Sequence, residues 1–241
     1  LKEHRLDDAR VANSLLLDLN PKALDANIQA AFILAECSGI ARAAAHAELA
    51  IAIDHRSAEA WRALGHVRLR QGQLKEAESC LHTALALHPE PATQCLRTLG
   101  WVFRSAGRLT EAATAFWQAV NCEPDDPVGW LELAEILLLD AEIASAGDAV
   151  KRALLARPAW SKAKLLQAKL LAAAGSSNWP QAAGICCTLL RRRECVPDAA
   201  RVLVELAAQG SSHATQGLQL LSRTQHLEAY HLALEQAQAR S

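Results

Sequence analysis

The chain has no methionine, one tyrosine and three phenylalanines in 241 residues, and aromatic residues make up only 4% of it. Glycine, at 11, and proline, at 8, are too scarce for a disordered or collagen-like chain. Val, Ile and Thr are too thinly spread for a sandwich or barrel. Neither sign of charge is in excess: 25 Lys+Arg stand against 26 Asp+Glu, so the overall balance advertises neither nucleic acid nor an anionic membrane as a partner. No run approaches the ~18 consecutive apolar residues of a membrane span. The richest stretches, Leu15 to Leu19 and Ile136 to Leu139, are broken by Asp and Asn, which argues against direct membrane insertion. The start, Leu1-Lys2-Glu3-His4-Arg5, has no signal-peptide character. Without an initiator Met the expectation is a fragment of a longer chain, or a trimmed one. The expected location is cytoplasmic, or periplasmic if an upstream signal is missing.

Catalytic and cofactor motifs are absent too. There is no Gly-x-x-x-x-Gly-Lys-Ser/Thr loop, no Gly-x-Gly-x-x-Gly, no His-Glu-x-x-His and no Gly-x-Ser-x-Gly. The reading is therefore a non-enzyme with no catalytic residues, no cofactor and no metal. Seven cysteines, at 37, 80, 95, 122, 186, 187 and 195, form no Cys-x-x-Cys pair and have no His at zinc-finger spacing. Scattered thiols in a helical chain act as small buried apolar residues and suit a reducing compartment. Cys186 and Cys187 read as helix packing rather than as a redox pair, because no activating group accompanies them. Dispersed histidines, including His82 with His88 and His226 with His231, are not spaced as ligand pairs on one helical face. Arg191-Arg192-Arg193 reads as a solvated helix end.

What the chain has is alanine and leucine, 50 and 39 residues, which is a helical composition. It also has a repeat. Trp61, Leu64 and Gly65 lead to Ala77, Leu81, Ala84 and Pro89. At the same spacings, Leu96, Leu99 and Gly100 lead to Ala112, Phe116, Ala119 and Pro124, and Trp130, Leu133 and Ala134 to Ala146, Val150, Ala153 and Pro158. The three prolines are 35 and 34 residues apart. Stepping back 34 from Ala77 finds Ala43, and again Ala9. Trp61 and Leu64, three apart, share one helical face. Small residues at 65, 100, 134, 77, 112 and 146 let paired helices approach closely, and each proline closes the unit after its second helix. Trp61 and Trp130 are expected in the core.

This pattern resembles the tetratricopeptide repeat (TPR) family, whose unit is a pair of antiparallel helices marked by Trp, Leu, Gly, an aromatic, Ala, an aromatic, Ala and Pro. Trp61, Leu64, Gly65, Ala77, Ala84 and Pro89 match it. Arg68 departs from it, since a Tyr or other large apolar residue is usual there; the following unit supplies Phe103 and Phe116 in the two aromatic columns. The resemblance implies an all-α fold, a right-handed superhelical solenoid of antiparallel helix pairs. It divides the chain into the second helix of a truncated repeat (1–22), repeats at 24–57, 58–91, 92–126 and 127–160, a degenerate repeat with a loop insertion at 161–197, and C-terminal capping helices at 198–241, the last near 226–239. Pro180 is expected in the first turn of a helix starting near 179, with Asn178 or Ser177 near its cap.

In proteins similar to this one, the first helices line a concave groove. The corresponding column here holds Phe32, His66, Trp101, Glu135 and Lys169, with Arg62 and Arg97 four residues earlier on the same face and Arg104 three later. An aromatic flanked by arginines is the composition of a binding hot spot. The bland alternative is that Trp101 packs on a neighbouring helix and the arginines pair with acids such as Glu59 or Glu135. Adaptors of this family that clamp a terminal carboxylate carry Asn where Phe32 and His66 stand, so that clamp is not expected. Trp117 faces away from the groove. The resemblance implies a scaffold or adaptor that binds a protein or peptide with acidic and apolar residues, and no nucleic acid. Two further readings stand beside it: the substrate-recognition or dimerisation part of a larger bacterial enzyme (a glycosyltransferase, methyltransferase or sulfotransferase), and a self-assembling scaffold.

Overall fold

The computed structural model describes residues 2–37, 39–89 and 92–222. Among these there are thirteen α-helices and no strand. In chain order they are α1 (Lys2–Leu19), α2 (Leu24–Glu36), α3 (Ile40–Ile53), α4 (Ala58–Arg70), α5 (Leu74–Ala86), α6 (Thr93–Ser105), α7 (Leu109–Cys122), α8 (Pro127–Leu139), α9 (Ile143–Ala156), α10 (Ser161–Ala173), α11 (Trp179–Arg191), α12 (Val196–Ala208) and α13 (Ser212–Ser222). A single 3₁₀ turn at Ser176–Asn178 precedes α11. No helix among them is long and apolar enough to cross a membrane. The helix expected near 226–239, with His226 and His231, lies outside the described residues.

Local chemistry explains the boundaries. Ser57 caps α4 by accepting the Ala60 N–H at 3.2 Å, and Asp126 caps α8 by accepting from Val128 and Gly129 at 3.0 and 3.1 Å, with Pro127 in the first turn. Between the two helices of a pair the chain turns through a left-handed residue. Gly72 and Gly107 take it at φ +76° and +75°, but at the matching position stands Ala141, at φ +61°. Each turn closes in the same way: Gln73 N–H donates to Arg68 O, Arg108 N–H to Phe103 O and Glu142 N–H to Leu137 O, at 2.8–2.9 Å. This is the bond pattern that finishes a helix with a left-handed residue.

The chain divides into two compact units, Leu1–Pro124 and Asp125–Ser241. In the first, α2 pairs with α3, α4 with α5 and α6 with α7 as antiparallel hairpins, and α4 lies beside both α2 and α6. Its core is built largely from alanine: Ala31, Ala43, Ala47, Ala50, Ala60, Ala63, Ala77, Ala84 and Ala112 are fully buried. Side chains this small bring backbones together, and the glycines bring them closer still. A Cβ on Gly65 would lie 2.8 Å from Leu81 Cγ, and one on Gly100 would lie 2.7 Å from a carbon of the fully buried Phe116 ring. Buried polar residues break the apolar rule on the first helices: Thr93 and Thr98 on α6, and Asn27 on α2. Asn27, in the column of Trp61 and Trp130, is fully buried. It donates to the carbonyls of Pro21 and Ala23 at 2.9 and 2.8 Å, and its Oδ1 lies 2.9 Å from His46 Nδ1. Because the amide donates twice, its oxygen must accept from His46.

In the second unit α8 pairs with α9, α10 with α11, and α12 and α13 pack on α11. Trp130, Leu133, Ile136, Val150, Cys186, Leu189, Leu203 and Leu206 are buried there. Two expectations shift. Trp61 is only partly buried, because its indole N–H donates to His55 O at 2.9 Å and holds the ring at the edge. Helix α12 begins at Val196 rather than after Pro197; Pro197 sits in its first turn, where a missing N–H costs nothing. Pro180 occupies the first turn of α11, and Asn178 precedes that helix without a side-chain cap bond.

Candidate functional site

In the first unit, equivalent positions on α2, α4 and α6 share one face because these three helices lie side by side in that order. Phe32 of α2 and His66 of α4 are ring neighbours, with centroids 5.5 Å apart and planes tilted by 53°. The Arg62 guanidinium lies over the Phe32 ring, 4.3 Å from its centroid, a cation–π arrangement. Arg62 also binds Glu59 through one edge, Nε donating to Oε2 at 2.9 Å and Nη2 to Oε1. His66 Nε2 lies 3.3 Å from Glu36 Oε1, and Arg70 Nη1 lies 3.8 Å from the same oxygen. Burial pushes the His66 imidazole below its ordinary value; Arg62 and Arg70 act in the same direction, while Glu36 opposes them.

On α6, Trp101 is half-buried and meets Phe116 of α7 edge-on, centroids 5.5 Å apart and planes at 84°. The Arg104 guanidinium covers the Trp101 ring at 4.8 Å. Arg97 is half-buried one turn before Trp101. The expected residues thus form two stacks, Arg62–Phe32–His66 and Arg104–Trp101–Phe116. Both bland alternatives hold in part: Trp101 leans on a neighbouring helix and Arg62 pairs with Glu59. Each stack nevertheless keeps part of its surface open to solvent.

Glu135 of α8 and Lys169 of α10 belong to the second unit, and both are half-buried. Lys169 edges a cleft of about 190 Å3 between α10 and α12, with Ala172, Val202, Glu205, Leu206 and Gln209. Glu36 and Arg70 were not among the expected site residues. Each stands four residues after one that was, Phe32 and His66, and that spacing is the signal that finds them.

Other reactive groups have packing roles. Burial pushes the Cys95 thiol up to about 11 and the Cys186 thiol up to about 12, so both stay protonated at neutral pH. All seven cysteines are free thiols. Among the described residues no group of three or more His, Cys, Asp or Glu is placed to hold a metal ion. Arg191, Arg192 and Arg193 are all exposed at the end of α11. Trp117 is 49% exposed beside the buried Phe116, so adjacent aromatics point to opposite environments.

Residues 56–122 match the family model of the tetratricopeptide repeat. No curated protein matches the chain in sequence. Among solved structures, PilF of Pseudomonas aeruginosa is 20% identical, with 90% of each chain covered and a TM-score of 0.64. PilW, a widely conserved type IV pilus biogenesis factor, is 19% identical over 90% of this chain and 92% of its own, with a TM-score of 0.66. YrrB, a TPR protein with an unusual peptide-binding site, is 18% identical over 85% of this chain and 96% of its own, with a TM-score of 0.55. At such identities the likeness is one of fold.

Proposed function

We propose, from the tetratricopeptide repeats that this chain carries, that it is a non-catalytic scaffold or adaptor that holds a partner protein or peptide against the first-helix face of its N-terminal unit. The observation that supports this most is the pair of cation-covered aromatics, Arg62 over Phe32 and Arg104 over Trp101. Large, partly open aromatics beside arginines are the side chains that dominate binding energy at protein interfaces. A partner with an apolar anchor and acidic residues suits them, since guanidinium groups grip carboxylates by their edges. We assign Phe32, Arg62, His66, Arg97, Trp101 and Arg104 to this face, and Glu135 and Lys169 to the equivalent first-helix positions of the second unit. Seven free thiols support a reducing, cytoplasmic setting.

A photo-crosslinking amino acid placed at 66 or 104, and at the exposed Lys151 as control, tests this inside cells. Covalent capture of one protein from 66 and 104 but not from 151 is expected. Capture from Trp117 or Leu155 alone would move the site off this face.

A second reading, self-assembly, is favoured by one observation. Val11, Leu15 and Leu19 recur every fourth residue along α1 and are 55%, 58% and 85% exposed. Light scattering that finds only monomer over a wide concentration range removes it.

A further inference from the structure

The Phe32–Arg62–His66 pocket is balanced in charge only while His66 is neutral. Three charged groups act on His66: Glu36 from α2, and Arg62 and Arg70 from α4. Glu59 of α4 is held by Arg62, and Arg97 of α6 stands in the column of Arg62 on the next first helix. Glu36 lies beside Arg70, so two carboxylates match two guanidinium groups and a protonated His66 would leave one cation in excess. Neutral His66 must still satisfy the Glu36 oxygen 3.3 Å from its Nε2. An ionised carboxylate only accepts, so Nε2 carries the hydrogen and Nδ1 is the open base.

The guanidinium groups have capacity left. Glu59 takes the Nε and Nη2 edge of Arg62, which leaves the Nη1 edge for a second acceptor. Arg70 is 45% exposed and touches Glu36 loosely, at 3.8 Å. Phe32 provides an apolar wall beside Arg62 and His66.

Resting on the scaffold reading above, we propose that this pocket receives a carboxylate side chain of the partner on Arg70 beside His66, and that His66 takes up one proton from solvent at Nδ1 as that carboxylate docks. With Glu36 and Glu59 already matching the two arginines, the added carboxylate leaves one negative charge in excess, so the imidazolium becomes favourable where it was not. No bond other than the new N–H forms or breaks. The complex binds more protons than the free protein, so affinity rises as pH falls. The slope is at most about tenfold per pH unit for one proton. The partner's carboxylates, with ordinary values near 4, stay ionised over the range used, pH 8 to about 6.

The test uses the full chain and a rhodamine-labelled dodecapeptide of four Glu-Glu-Phe triplets, with a Gln-Gln-Phe analogue as control. Fluorescence anisotropy at pH 8, 7 and 6 reads the affinity. Calorimetry in two buffers of different ionisation enthalpy reads the protons taken up. The Glu peptide is expected to bind about threefold or more tightly at pH 6 than at pH 8, and the Gln peptide to bind more weakly at both. Arg70→Gln weakens the Glu peptide at every pH. His66→Gln, its helicity verified, binds as at pH 8 and does not tighten.

Equal affinity at pH 8 and 6, no buffer-dependent heat in the wild type, or tightening that persists in His66→Gln overturns the proton uptake. Equal binding of the two peptides, or no binding of the Glu peptide up to about 1 mM, overturns the carboxylate receptor. Neither failure touches the scaffold reading, which stands or falls on crosslinks from 66 and 104.

Discussion

The tightest feature of the first unit is the space above Gly100, and replacing that glycine with alanine measures it. In a helix interior the exchange should help, since alanine is favoured over glycine by about 1 kcal/mol. Here the new Cβ would meet three carbons of the Phe116 ring at 2.7, 2.8 and 2.9 Å. The ring must retreat by more than half an ångström, yet it is fully buried and rigid, with Trp101 against it. Overpacking of this kind costs about 1–3 kcal/mol, and a ring that cannot yield puts it in the upper half of that range. The net expectation is a loss of about 1–2 kcal/mol. The internal control is Gly147→Ala on α9, where a Cβ meets nothing within 4 Å; that exchange should gain about 0.5–1 kcal/mol. Urea unfolding followed by far-UV circular dichroism reads both. With a slope of about 2 kcal/mol/M, the Gly100→Ala midpoint falls by about 0.5–1 M and the Gly147→Ala midpoint rises by about 0.3–0.5 M. A double mutant with Phe116→Val should recover part of the loss, because the repeat that carries Ala134 in the glycine column carries Val150 at the same offset. If Gly100→Ala is as stable as wild type, the account of close helix approach through Gly100 is wrong.

Three other outcomes are expected. Ala141→Gly should stabilise by roughly 0.5–1 kcal/mol, since it removes a left-handed alanine at φ +61° where the matching turns use glycine; a thermal melt checks it. Asn27→Ala and Asn27→Leu should both destabilise, by about 2 kcal/mol, because both strip the bonds to Pro21, Ala23 and His46; a Leu variant as stable as wild type would show that only volume matters there. Burial, the leading influence, lowers His46 and His66 alike, so the unfolded chain binds protons more readily at both. Their contribution to stability is complete above the unfolded value of about 6.5 and is lost as pH falls through the folded values. The free protein should therefore unfold at lower urea at pH 5.5 than at pH 7.5, and the His46→Gln, His66→Gln double mutant should narrow the difference.

The helices were legible because their punctuation repeats. Pro89, Pro124 and Pro158 recur at near-constant spacing, and each has a local backbone role that needs no knowledge of the rest of the chain. Close helix approach at Gly65 and Gly100 was legible for the same reason, whereas their partners Leu81 and Phe116 emerge only from the structure. Column positions also placed Phe32, Arg62, His66, Trp101 and Arg104 on one kind of helix face. They could not say how each side chain turns. Trp101 leans back on Phe116, and Arg62 reaches both Phe32 and Glu59, because rotamers answer to neighbours that a column does not contain. Glu36 and Arg70 escaped because they lie one turn beyond the column. Asn27 escaped because a polar residue in a packing column reads as an exception until its carbonyl partners are seen.

The backing of Trp101 has a consequence for how this face would respond to load. Phe116 fills the gap above Gly100 without slack, and Trp101 rests edge-on against it. Pressure on Trp101 from outside has no soft element to dissipate it; it passes through Phe116 directly to α7, in the layer behind. At the other stack Arg62 and His66 sit on flexible or tiltable side chains with charged partners that can be exchanged. The two halves of one face therefore differ in stiffness. One offers a fixed anvil that reports contact to the far side of the helix pair, and the other a compliant grip that adjusts to what it holds.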